Sequence, residues 1–77
     1  MHSIQLDEGE CKLVELAAAR RAEARRLRRG WRAFSERMEA RIHRAQVTGL
    51  SRRVDRLCRF HVHELERVKR ALECLEP

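Results

Sequence analysis

The residues with the most obvious chemical capacity are five arginines, Arg21, Arg25, Arg28, Arg29 and Arg32. Placed on a helix at ~100° per residue they fall within about 100° of arc. Guanidinium groups arrayed this way along a rod could follow a phosphate backbone, with several contacts and a steep salt dependence. The same stripe could engage an acidic protein surface. Residues 20–32 carry a net charge of +6, equal to the excess of the whole chain, while residues 1–19 carry −3. Any electrostatic function therefore maps to this block, where Glu23 is the one acidic neighbour. The competing reading is a solvated helix face, on which Arg serves as a helix former with a packing stem. No aromatic residue interleaves with the arginines as a platform for single-stranded nucleic acid requires. Trp31 and Phe34 fall on the apolar side instead.

Cys58, His61 and His63 are the nearest approach to a metal-ligand set. On a helix Cys58 and His61 share a face, but His63 points roughly opposite His61. Two ligands remain where zinc takes three or four, so the spacing predicts a seam histidine at His61, with no metal site and no cofactor. Cys11 and Cys74 project away from the apolar stripes. Catalysis finds no foothold either. The chain has no Gly-rich phosphate loop, no nucleophile elbow and no paired carboxylates held by a cleft. Cys58 with His61 is the one nucleophile–base spacing, and two helices side by side offer no concave pocket for a small-molecule substrate. The expectation is a protein that is not an enzyme.

These groups must be positioned by helices. Of 77 residues, 39% are charged, three are Gly, one is Pro and three are aromatic, a palette of long helices rather than sheets. Asp7 followed by Glu10 reads as a capping box, with Leu6 and Cys11 at the flanking staple positions. From there one apolar stripe runs through Leu13, Leu16, Ala17, Ala24, Leu27, Trp31, Phe34, Met38, Ile42 and Ala45, alternating steps of three and four between Leu27 and Met38 as a coiled-coil seam does. The stripe keeps its phase across Gly30, which predicts an unbroken helix there. Val47 to Ser51 is the clear break. Gly49 suits the left-handed residue just past a helix end, and Ser51 suits the cap of the next helix. The second helix has its own stripe, Val54, Leu57, Cys58, His61, Val62, Leu65, Val68, Leu72 and Leu75, ending at Pro77.

The predicted fold is an all-α, long antiparallel helical hairpin of coiled-coil type, a single domain over residues 1–77. Helix 1 covers about 7–47, the turn 48–50 and helix 2 about 51–75. The lengths are unequal, ~60 Å against ~37 Å at 1.5 Å per residue. Folded back from Gly49, helix 2 reaches about residue 24 and leaves the apolar face from Leu13 to Arg20 bare. A hairpin this small is marginal alone, so the expectation is that it dimerises into a helical bundle or antiparallel coiled coil. Its overhang would also bind a partner protein, in the manner of an adaptor, co-chaperone or assembly accessory. The residues expected to carry this are Leu13, Leu16, Ala17, Arg20, Ala24 and Leu27, with Trp31 and Phe34 as anchors. Arg20 is a charge on the apolar line, a device for register or partner choice. The alternative is a small basic dimer binding nucleic acid through Arg21, Arg25, Arg28, Arg29 and Arg32. Three cysteines without close pairing, no apolar run fit for a signal peptide, and nothing of membrane-spanning length point to a reduced cytoplasmic chain without a membrane partner.

Overall fold

The structure is a computed structural model and describes residues 7–76. Two helices account for nearly all of them, α1 over Glu8–Val47 and α2 over Ser51–Leu75, and no strand occurs among the described residues. They lie antiparallel as a hairpin whose Cα extents are 65 × 22 × 13 Å. The all-α hairpin read from the sequence is what forms.

The start of α1 is set chemically. Asp7 is extended at φ −70° and ψ 172°, its carboxylate accepts from the Glu10 amide at 2.7 Å, and the Glu10 carboxylate accepts from the Asp7 amide at 3.3 Å. Glu8 and Glu10 also lie in the first turn, where acidic charge complements the free amides of the helix start. The staple residue Leu6 and the terminal Pro77 lie outside the described residues. α1 runs unbroken through Gly30, where a methyl group would meet nothing within 4 Å.

The turn is a Schellman motif. Gly49 adopts φ +72°, the Leu50 amide donates to the Ala45 carbonyl at 2.9 Å, and the Gly49 amide donates to Gln46 at 3.1 Å. Thr48 adds its hydroxyl to the Arg44 carbonyl at 2.9 Å. The expectation for Ser51 needs correction. The residue flanking α2 is Leu50, which has no side-chain cap, and Ser51 is already the first helical residue. The Schellman motif uses Leu50 to close α1, so α2 begins one residue after it without room for a separate cap.

The seam follows a seven-residue rhythm. On α1, Ala24, Met38 and Ala45 are buried and Trp31 is half-buried. On α2, Val54, His61, Val68 and Leu75 recur at the same interval, with Leu57, Cys58, Leu65 and Leu72 between them, all half-buried. That is the heptad pattern of knobs packing into holes. Val62, placed on the seam from sequence, is instead 57% exposed. It follows the seam residue His61, and a step of ~100° carries its side chain off the contact line.

Candidate docking surface

Where α2 ends, α1 continues. Ala24 is fully covered, and Arg28 forms a two-pronged contact with Glu76, just past the end of α2. N-terminal to this point, no other element among the described residues lies alongside α1. Leu13 is 67% exposed, Val14 53% and Leu16 48%, and Arg20 is exposed while Ala17 is half-buried. Leu13 and Leu16 are large apolar side chains on a continuation of the stripe that is filled farther along, and Val14 flanks them. Local terms hold this stretch helical. They are the capping box, a Lys12–Glu8 ion pair at 3.5 Å and the Leu16–Ala19 run of good helix formers.

The structure divides the eight residues expected at a partner surface. Leu13, Leu16, Ala17 and Arg20 lie on the uncovered stretch. Ala24, Leu27, Trp31 and Phe34 lie in the hairpin's own seam. Trp31 stacks on His61 with ring centroids 5.2 Å apart, and Phe34 meets Phe60 edge-on at 6.0 Å. His61 in turn shares a hydrogen bond with the Ser35 hydroxyl, 2.9 Å from Nε2. The aromatic pair is thus engaged within the chain, and His61 is a seam residue with a polar partner. Val14 and Phe60 went unread in the sequence. Val14 sits one position outside the stripe and shows only as a large apolar side chain next to Leu13. Phe60 is 48% exposed and joins the cluster through Phe34 alone.

All five stripe arginines, Arg21, Arg25, Arg28, Arg29 and Arg32, are exposed. Arg28 differs from the rest because of Glu76, an acidic neighbour supplied by α2 in addition to Glu23. The hydrogen bonds to Glu76, and then its charge, hold the Arg28 guanidinium above its usual pKa. The same hydrogen bonds hold the Glu76 carboxyl below its ordinary value, opposed by partial burial and assisted by the charges of Arg28 and Arg25. Glu23 is drawn to Arg26, with an Nε–Oε2 distance of 3.1 Å. Arg21, Arg25, Arg29 and Arg32 form no ion pair among the described residues.

Two open grooves flank Trp31 along the seam, one passing Arg28, Ser35 and Leu72, the other Leu27, Phe34 and Glu64. Cys58 is half-buried and Cys74 exposed. No cluster of three or more metal-ligating side chains occurs among the described residues, and no helix is long and apolar enough to cross a membrane. The chain matches no family model, and no curated protein or solved structure is significantly similar to it.

Proposed function

We propose that this chain is a non-enzymatic helical interaction module that self-associates and presents its α1 overhang to another helix, serving as an adaptor, co-chaperone or assembly accessory in the cytoplasm. One observation carries the reading. Leu13 and Leu16 stand exposed on the apolar stripe that α2 covers from Ala24 onward, with exposed Val14 beside them. A contiguous apolar surface beside charged residues is a feature of interaction sites, and a helix laid along it would continue the packing rhythm of the seam. The expected mass in solution by light scattering exceeds the 9.2 kDa of one chain. Leu13→Asp with Leu16→Asp should abolish association while leaving the hairpin's helical circular dichroism nearly intact. Retained association by that double variant would remove the overhang from the account.

A second reading, nucleic-acid binding, is favoured by the four stripe arginines that form no ion pair among the described residues. It requires binding to generic duplex DNA at 50 mM salt that weakens many-fold by 200 mM, as expected for release of several counterions. Arg25→Glu with Arg29→Glu should abolish that binding and spare self-association. No binding at the lower salt would leave the helix-docking reading alone.

A further inference from the structure

The overhang has a polarity that selects its occupant. Counting along the heptad that buries Ala24, Met38 and Ala45, the preceding seam positions are Ala17 and Glu10, with Leu13 and Arg20 at the intervening ones. The uncovered seam therefore reads acid, leucine, alanine, arginine from its N-terminal end. We infer that its occupant is a second copy of this chain, docked antiparallel over residues 8–22, so that Glu10 of each copy faces Arg20 of the partner subunit and Leu13 faces Ala17 of the partner subunit. This rests on the reading of the overhang as a helix-docking face and assigns its occupant and register.

Three observations converge on that register. Reversing one copy interchanges the two kinds of seam position, so pairs of residues whose numbers total 30 lie level, and both charged positions then meet their opposites. A parallel pair would set Glu10 against Glu10 of the partner subunit and Arg20 against Arg20 of the partner subunit, like charge against like. Sliding the antiparallel pair one heptad farther would set Leu13 against Ala24 of the partner subunit, which α2 already buries. The charges are also available. Arg20 forms no ion pair among the described residues. Glu10 uses Oε2 for the Asp7 amide, leaving Oε1 to receive a guanidinium.

The arrangement continues the packing of the hairpin. An antiparallel partner helix runs in the same direction as α2. Its residue 8 lies level with residue 22, just beyond the point where α2 gives out beside Ala24 and Arg28. The partner's α1 takes up the seam where α2 leaves it. The negative end of α2 then faces the positive start of the incoming helix, a favourable alignment of dipoles. The dimer is an end-overlapped rod rather than a side-by-side four-helix bundle. Two 40-residue helices sharing 15 residues extend ~100 Å at 1.5 Å per residue, against 65 Å for one hairpin. A seam this short is a small interface, in the class of weak and transient contacts.

The test combines shape with charge exchange. Small-angle X-ray scattering of the wild-type chain should give a dimer with a maximum dimension near 100 Å. Sedimentation should show Glu10→Arg alone and Arg20→Glu alone each weakening the homodimer at least tenfold, since each sets two like-charge pairs at the seam. Mixed together, the two variants should recover near wild-type association as a heterodimer, because every seam charge then meets its opposite. Far-ultraviolet circular dichroism checks that both variants keep their helices, Glu10→Arg having also lost half of the capping box. A dimer no longer than about 70 Å, or failure of the mixture to associate better than either variant, overturns the register. A wild-type chain that stays monomeric at roughly 500 μM overturns self-docking altogether, while capture of an unrelated amphipathic helix by that monomer would preserve the docking face itself.

Discussion

Residues 8–22 and residues 24–47 belong to one helix and bear one apolar stripe, yet they are held by different physics. The second stretch is fixed by packing. Ala24, Met38 and Ala45 are buried under α2, and Trp31, Phe34, Phe60 and His61 form a connected set of ring contacts. Among the described residues, the first is held by sequence-local terms, a cap, an ion pair one turn long and a run of alanines. An isolated helix of about 15 residues is marginal in water. The overhang therefore borrows its order from the packed segment it continues. A single amphipathic helix can thus be half scaffold and half reagent, and the boundary is set by the length of its return arm.

The largest expected effect tests that division directly. Met38→Ala should cost ~2–5 kcal/mol through lost burial and the cavity left behind, enough to remove most of the cooperative unfolding transition of so small a chain in urea. Leu13→Ala, measured at concentrations where the chain is monomeric, should change stability by less than about 0.5 kcal/mol and act on association instead. Comparable losses in the two variants would mean that residues 8–22 are covered within the chain. Next in size is Gly49→Ala. A side chain at φ +72° costs ~1–2 kcal/mol, and the loss should appear as faster amide exchange in α2 and in 24–47. In the opposite direction, Gly30→Ala adds a methyl group with nothing within 4 Å and should raise the unfolding free energy by ~0.5–1 kcal/mol. A loss there would point to a neighbour that the hairpin alone does not contain.

What could be read from the sequence follows the same local–distant divide. The capping box, the continuity through Gly30 and the left-handed Gly49 depend on residues within a turn of one another, so residue types at fixed spacing sufficed. The overhang was legible too, because helix lengths follow from residue counts and the rise per residue. Val62 was misplaced because Leu65 and Cys58 lie one turn away on either side, and hydrophobicity alone cannot tell a seam position from its flank. Ser51 has the right chemistry for a cap, but the Schellman motif consumed the position before it. The Glu76 partner of Arg28 lies 48 residues away, and predicting it needs the turn geometry to within one residue. The engagement of Trp31 with His61 was hidden for the same reason. Both were assigned to their stripes, but which residue lies level with which depends on the turn.

The smallest expected effect lies at the boundary between the two regions. The folded-state pKa of Glu76 is lowered, chiefly by hydrogen bonds from Arg28. Its contribution to stability is therefore complete above the carboxyl's unfolded-state value and disappears as pH falls through the lower folded-state value. Both side chains remain in contact with solvent, so the effect should be small and should shrink further with added salt. Glu76→Gln removes the titrating charge. The difference in thermal midpoint between wild type and variant should thus be present at pH 7 and vanish in strong acid, and a difference that survived there would show that the side chain acts by packing. Amide exchange gives the spatial half of the measurement. Losing the pair should fray the last turn of α2, around Leu72 to Leu75, and uncover Ala24, lengthening the bare stretch of α1 by about one helical turn, which is 3.6 residues. If the two helix regions differ only because α2 stops where it does, the newly bared turn should exchange its amides as fast as residues 8–22.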